Sequence, residues 1–256
     1  MALTVGLGTG YKFRDPIRDA VDPILFGTPE AKESSGPTPK QVFEVEAIRV
    51  TELHRRQTKQ TILALKAKYE SPVLGRFRVW DLLEKLALCT DPTDTSLGCV
   101  NQYMHVCQLT AALEQDGEAD ETMLLAALVH DLGKVAMLAG EAPEHVVCMN
   151  EPLEGVEPGG GLANTLFQFG HDEIAYSRLK DHIPEHVAWM VRYHGMHLGK
   201  AEPFMSARDR EMEQTYLAKF RKYDAGAKSL WTRPHGGSLA RYRDFVEERF
   251  PQPILF

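Results

Sequence analysis

Apolar residues recur with a helical period along most of this chain. Residues 42–69 carry them among charged residues, at the spacing of a long amphipathic helix. Shorter helical stretches are predicted over residues 79–88, 103–115, 121–136, 162–180, 184–196, 206–224 and 236–249. The alternation of apolar and polar positions that is typical of strands is almost absent. The pattern therefore predicts an all-α fold.

The first forty residues have a different character. Their prolines and glycines, among them Pro16, Pro23, Gly27 and Pro29, lie too close together for a long helix or a central strand. We therefore expect an N-terminal arm over residues 1–41 and a helical domain over residues 42–256. Such an arm could serve as a lid that excludes water from a reactive site.

Composition and charge narrow the class of protein. The chain has 256 residues, of which 43% are hydrophobic and 25% are charged, as in an ordinary soluble enzyme. Its 29 basic and 36 acidic residues give a formal charge of -7, so we expect no nucleic-acid partner. The four cysteines form no CxxC pair, and we find neither a signal peptide nor an apolar run near membrane-spanning length. These features predict a reduced, cytoplasmic protein without a membrane segment, and we expect a monomer.

The strongest chemical signal is the pair His130-Asp131 inside an apolar helix, followed by Leu132-Gly133-Lys134. Burying an ionised carboxylate is costly unless a cation or a set of donors compensates it, and a metal ion does so directly. His105 lies on the preceding predicted helix, at a spacing that suits a ligand from an antiparallel neighbour. The sequence therefore predicts a metal site built from two helices.

Further candidate ligands follow in three separate segments. His171, His194 and Asp224 each lie in or at the end of a predicted helix, beside aromatic residues. Together with the first three they make four imidazoles and two carboxylates, enough for two ions if Asp131 bridges them. Nitrogen-rich coordination with carboxylate favours iron, manganese or zinc over calcium or magnesium.

Other reactive residue types in the chain have simpler interpretations. A single histidine in a helix is usually a core or surface residue, and this applies to His54, His145, His182, His186 and His235. The basic residues Lys219, Arg221 and Lys222 are expected to form a solvated face, and Cys107 and Cys148 to serve in packing. His197 follows His194 by three residues, which would place both on one helix face.

The ligand series resembles that of the HD-domain superfamily, and its flanks resemble one group within it. The segments HDLGK at 130–134, GHDE at 170–173, RYH at 192–194 and KYDAGAK at 222–228 are similar to those of the inositol oxygenase family. The resemblance covers residues 54–228, about two thirds of the chain. It implies an HD-domain-like helical bundle.

The resemblance also implies a chemistry. It points to a mixed-valent Fe(II)/Fe(III) pair in which Asp131 bridges the two irons. One iron would be held by His105 and His130, the other by His171 and His194, and Asp224 would complete the set. Dioxygen would be the co-substrate of a four-electron oxidation that cleaves a C–C bond, with myo-inositol converted to D-glucuronate as the leading expectation.

Substrate contacts are implied at four positions, of which two are lysines. Lys134 and Lys228 match lysines that contact substrate in the family, and Lys134 and Asp131 are the expected catalytic residues. His197 and Asn150 are further candidates for substrate binding. Two residues depart from the family pattern: Gly195 stands where serine is usual, and Met149 lies where an acidic residue binds substrate hydroxyls. The same chemistry on a different amino, hydroxy or phosphonate compound is therefore an alternative.

Two hypotheses lie outside the oxygenase class. A phosphohydrolase of the wider HD superfamily would use a metal-bound water to attack phosphorus, and would release phosphate without oxygen. A non-catalytic helical protein would use its histidines structurally. Six ligand candidates in the expected order argue against the second hypothesis, and the matching flanks argue against the first.

Overall fold

The computed structural model describes residues 38–98, 100–153, 157–229 and 238–256. The chain divides into two compact units, Met1–Val45 and Glu46–Phe256. Of the first unit only residues 38–45 are described, and they include the first turns of a helix. The predicted arm over residues 1–41 therefore lies almost wholly outside the described residues, and its role as a lid stays a prediction.

Helices form most of the described chain, and the prediction of an all-α fold is confirmed. The α-helices are α1 (Pro39–Arg55), α2 (Lys59–Lys68), α3 (Val79–Lys85), α4 (Gln102–Gln115), α5 (Glu121–Val129), α6 (His171–Leu179), α7 (Glu185–Tyr193), α8 (Leu198–Ala201), α9 (Ala207–Met212), α10 (Ala218–Gly226) and α11 (Arg243–Arg249). Shorter 3-10 segments cover Leu86–Leu88, Leu132–Ala139, Pro143–His145, Leu162–Asn164, Glu202–Phe204 and Leu239–Tyr242, and a π-helical turn covers Glu213–Leu217. Two antiparallel strands, β1 (Arg76–Phe77) and β2 (Ile254–Leu255), pair Arg76 with Leu255 and Phe77 with Ile254.

Helix α5 lies at the centre of the core. Its residues from Leu125 to Val129 are buried, and it packs against α4, α7 and α10. The segment Glu121–Ala139 is long and apolar enough to cross a membrane by length and composition, so the expectation that no segment reaches that length was wrong. Since 72% of this segment is buried inside the protein, core packing accounts for its apolar character.

The predicted long helix over residues 42–69 is in fact two helices. The helix is interrupted between Arg55 and Lys59. There the Gln57 side chain turns inward and donates hydrogen bonds to the carbonyls of Glu144 and Phe169 at 2.9 and 3.0 Å. Thr58 then caps α2 by accepting a hydrogen bond from the Thr61 amide. The helical period continues across the break, which explains why the apolar pattern did not reveal it.

The helix predicted over residues 121–136 changes its form at the His-Asp pair. Helix α5 ends at Val129, His130 and Asp131 form a turn, and a 3-10 segment runs from Leu132 to Ala139. The turn at the His-Asp pair directs both side chains into the core.

The predicted capping arrangement at Ser206 is confirmed, because Ser206 and Asp209 exchange the two hydrogen bonds of a capping box.

Candidate metal centre and cavity

The first group of candidate ligands joins three helices. His105 projects from α4, His130 and Asp131 follow α5, and Asp224 lies on α10. His105 Nε2 lies 2.8 Å from Asp224 Oδ1, and His130 Nε2 lies 3.3 Å from Asp131 Oδ2 and 3.7 Å from Asp224 Oδ1. His130 Nε2 is buried and has no hydrogen-bond partner among the described residues. These donor atoms converge on one point, as the ligands of a metal ion do.

The second group lies on the other side of Asp131. His171, at the start of α6, and His194, directly after α7, bring their Nε2 atoms within 3.1 Å of each other. Asp131 Oδ1 lies 3.2 Å from His171 Nε2 and 3.7 Å from His194 Nε2. Each triad, His105 with His130 and Asp131, and Asp131 with His171 and His194, has its ligand atoms within 4.8 Å of one another.

Hydrogen bonds behind the imidazoles orient three of the four rings. The Nδ1 atoms of His130, His171 and His194 donate to the carbonyls of Ala127, Val146 and Val191 at 3.0, 2.7 and 2.8 Å. In a neutral ring, a proton on Nδ1 leaves Nε2 as the ligand atom that faces the centre, which is the usual way in which outer hydrogen bonds set a histidine for metal binding.

Asp131 and Asp224 are charged in spite of their burial. Burial opposes the ionised form of Asp131, but the neighbouring His130 and Lys134 lower its pKa well below the ordinary value of 3.8. Burial acts in the same direction on Asp224, and His105 and Lys228 lower its pKa well below 3.8 as well. Two buried carboxylates facing four imidazoles fit two metal ions that share Asp131.

A cavity of about 350 Å³ opens onto this centre. Lys134 Nζ lies in it, 3.1 Å from Asp91 and 3.2 Å from Asp131, and donates to Gln102 at 2.9 Å. Lys228 also lines it, 2.8 Å from Asp94 Oδ2. The lining comes from the loop before α4, the turn and 3-10 segment after α5, the loop 148–149, the start of α6, the residues after α7, and α10 with the residues that follow it. Its residues are Asp91, Thr93, Asp94, Thr95, Ser96, Asp131, Lys134, Cys148, Met149, His171, His194, Gly195, Arg221, Asp224, Ala225 and Lys228.

Asn150 and His197 are not among the described residues that line this cavity, and their role as substrate contacts stays a prediction. Asn150 is buried and donates to Asp172 at 2.9 Å, so its amide is engaged behind the cavity. Helix α7 ends at Tyr193, and His197 is the N-cap of α8, so His194 and His197 do not share a helix face. Sequence spacing could not show that the helix ends between them.

The departures at Gly195 and Met149 both line the cavity. A Cβ atom at Gly195 would come within 2.6 Å of Asp172 Oδ2, so a side chain there requires Asp172 to move. Met149 is half exposed and brings a thioether to the cavity wall. The cavity wall therefore lacks a hydroxyl and a carboxylate that the sequence resemblance would lead one to expect.

Gly133 lies at the contact between the two halves of the centre. A Cβ atom at this position would come within 2.0 Å of the His171 carbonyl oxygen. The 3-10 segment that follows Asp131 is thereby packed against the backbone at the start of α6. Only a residue without a side chain permits this approach.

Arg221 is the cavity residue that the sequence interpretation missed. The sequence pattern predicts a solvated face for Arg221 together with Lys219 and Lys222, but the structure separates the three. Lys219 pairs with Glu118, Lys222 is exposed, and Arg221 lines the cavity. The available signal was its spacing, because residues three apart share a helix face and Asp224 lies three residues further along α10.

The fold and the site define a class of protein: an all-helical protein in which four histidines and two aspartates form two adjoining candidate metal-binding groups in the core. A sequence model of the family described as myo-inositol oxygenase matches residues 44–153 and 144–256. The chain belongs to the myo-inositol oxygenase family. The resemblance drawn from its motifs is confirmed, as is the prediction of an oxidoreductase of the oxygenase class.

Individual relatives match over most of the chain. An inositol oxygenase of Bos taurus is 24% identical over 87% of this chain and 88% of its own length. Inositol oxygenase 2 of Arabidopsis thaliana is 26% identical over 82% of this chain and 78% of its own. A probable inositol oxygenase of Oryza sativa subsp. japonica is 24% identical over 78% and 77%, respectively.

Proposed function

We propose that this chain is a non-haem di-iron oxygenase of the HD-domain type. It would oxidise a small hydroxylated substrate with dioxygen in a four-electron, C–C-cleaving reaction, for which myo-inositol is the reference substrate and D-glucuronate the product. Family membership supports the reaction class. The observation that carries the proposal is Asp131, whose carboxylate is shared by two groups of imidazoles.

The ligand set supports iron. His105, His130 and Asp224 would hold one ion, His171 and His194 would hold the other, and Asp131 would be shared. Imidazole with carboxylate suits iron, manganese or zinc, and of these iron changes its oxidation state most readily in such sites. When bound, two irons would supply the redox chemistry that dioxygen requires.

The lysines of the cavity would act on the substrate. Burial disfavours the charged form of Lys134, but Asp131 and Asp91 outweigh it and raise its pKa above the ordinary value of 10.5. Burial also disfavours the charged form of Lys228, and Asp224 and Asp94 raise its pKa. Both ammonium groups are therefore charged, and each can stabilise negative charge that develops on a substrate oxygen beside the ions.

The test combines metal analysis with oxygen uptake. The full chain, loaded with iron, should hold two irons and give a coupled mixed-valent EPR signal when partly oxidised. It should consume oxygen only when a substrate is added. Iron-loaded protein that stays inert toward polyols and small polar acids would contradict the proposal, and phosphate release from nucleotides without oxygen would favour a phosphohydrolase instead.

A further inference from the structure

Among the described residues, three cationic side chains line the cavity, and two of them have counterions. Lys134 lies 3.1 Å from Asp91 and 3.2 Å from Asp131, and Lys228 lies 2.8 Å from Asp94. Each lysine is thus balanced by a carboxylate of the same cavity. Neither lysine needs a negatively charged ligand to offset its burial.

Arg221 differs from both lysines. Arg221 is half-buried in the cavity wall, and its guanidinium has no hydrogen bond or ion pair with any residue in the described part of the chain; one of its nitrogens, Nη1, is buried without a partner. Burial lowers the pKa of Arg221, and the carboxylates of Asp224, Glu213 and Asp172 offset this only through longer-range attraction. A buried donor without a partner destabilises the folded state, and more so when it is charged.

The nearest carboxylate along α10 has another role. Asp224 lies one helical turn beyond Arg221 and bonds His105 in the first ligand group. Once a metal ion is bound there, the charge of Asp224 is balanced by the ion. The positive charge of Arg221 is then offset only by the longer-range attraction of Glu213 and Asp172.

We propose that Arg221 is a specificity-determining residue that binds an oxyanion of the substrate. The substrate would therefore be a small hydroxylated acid, with a carboxylate or a phosphorus oxyanion, rather than a neutral polyol. The planar guanidinium donates two parallel hydrogen bonds to such a group. This inference rests on the proposed function, because it names the substrate class of the same site.

The composition of the cavity wall agrees with an acidic substrate. Gly195 and Met149 offer no polar side-chain group to hydroxyls, while Asp91 and Asp94 are engaged by the lysines. A volume of about 350 Å³ has room for one small molecule. A neutral polyol would leave the half-buried Arg221 without an anionic partner.

Calorimetric binding to the full, iron-loaded chain without oxygen tests this inference. Two matched pairs of probes differ in charge: gluconate against glucitol, and myo-inositol 1-phosphate against myo-inositol. In the wild type the acidic member of at least one pair should bind about tenfold more tightly or better. Arg221→Gln should abolish that preference, Arg221→Lys should retain part of it, and the exposed control Lys222→Gln should leave it unchanged.

The outcomes separate this inference from the proposed function. Equal affinity for charged and neutral probes, or a preference that survives in Arg221→Gln, would overturn the role of Arg221 even if myo-inositol supports oxygen uptake. An Arg221-dependent preference in a protein that consumes no oxygen would instead support the anion site and contradict the oxygenase. If Arg221→Gln fails to fold, Arg221→Lys carries the test: a reduced preference supports the role of Arg221, and an unchanged preference overturns it.

Discussion

Asp131 is the residue on which the whole centre depends. Its Oδ2 atom lies 3.3 Å from His130 Nε2 and its Oδ1 atom lies 3.2 Å from His171 Nε2, so its two oxygens serve different groups of ligands. A carboxylate used in this way cannot be replaced by an amide, which has one oxygen and no charge. The two candidate metal sites would therefore be coupled through one side chain.

Asp131→Asn should therefore lower the content of both metal ions, not of one. We expect the affinity of the chain for iron to fall at least about tenfold, as is common when a metal ligand or its hydrogen-bond partner is lost. The check is metal analysis after gel filtration at a fixed free iron concentration. Asp81→Asn, at an exposed position in α3, is the matched control and should bind as much iron as the wild type. If Asp131→Asn retains one full equivalent of iron, the two sites are independent.

The lack of space around Gly195 leads to a second prediction for a single residue. Gly195→Ala should destabilise the protein by about 1–3 kcal/mol, because the new Cβ would overlap Asp172 Oδ2. Urea denaturation measures the change. Gly226→Ala should be nearly neutral, since nothing lies within 4 Å of a Cβ there. In a double-mutant cycle Asp172→Ala should relieve the penalty, and additive effects would refute the overlap.

At the scale of elements, α2 is tied to the end of the 3-10 segment through Glu141. This buried carboxylate accepts hydrogen bonds from Lys68, Tyr69 and His145. Burial opposes its charge, but Lys68, His145 and Tyr69 lower its pKa to about 2 from the ordinary 4.5. The segment that follows Asp131 is thereby fixed at its far end.

Because the folded pKa of Glu141 lies below the unfolded one, its contribution to stability is present above pH 4.5 and is lost as the pH falls toward about 2. Glu141→Gln should lower the free energy of unfolding by about 1–2 kcal/mol at pH 7, an amount reduced by the exposure of Lys68. Chemical denaturation between pH 7 and about pH 2 should show the difference in free energy of unfolding between Glu141→Gln and wild type shrinking as the pH falls. The exposed control Glu70→Gln should match wild type throughout, and a difference that persists at the acid end would rule out ionic pairing as its cause.

The sequence predicted some elements well and others poorly, for physical reasons. Helix α4 and the capped helix from Ser206 follow from apolar period and capping residues, which act locally. The break at Gln57 depends on carbonyls of Glu144 and Phe169, which are distant along the chain. The motifs indicated the ligands, but the isolation of Arg221 depends on which carboxylates lie near it in space, and no local pattern records that.

At the scale of the whole molecule, the metal centre joins segments that are far apart along the chain. Its ligands come from α4, the end of α5, the start of α6, the residue after α7, and α10. Ions bound there would link these elements in the folded state alone. The cytoplasmic location and the monomeric state remain predictions from the sequence.

Removal of metal should therefore lower the melting temperature. A ligand at a hundred times its dissociation constant adds about 2.7 kcal/mol, which corresponds to roughly 5–10 °C for a chain of this size. Thermal unfolding of chelator-treated protein, with and without Fe(II) under anaerobic conditions, measures this. Asp81→Asn should respond as wild type does and Asp131→Asn should respond much less; an unchanged melting temperature in the wild type would argue against a centre that joins these helices.

The close approach at Gly133 has a consequence for how freely this sequence can vary. A residue with no side chain keeps the His-Asp turn and the His171 backbone in contact, so any larger residue would push the two ligand groups apart. In a saturation mutagenesis library selected for metal-dependent activity, position 133 should tolerate as few substitutions as His130 and Asp131. Its importance is steric, and it would be invisible to a search for reactive side chains.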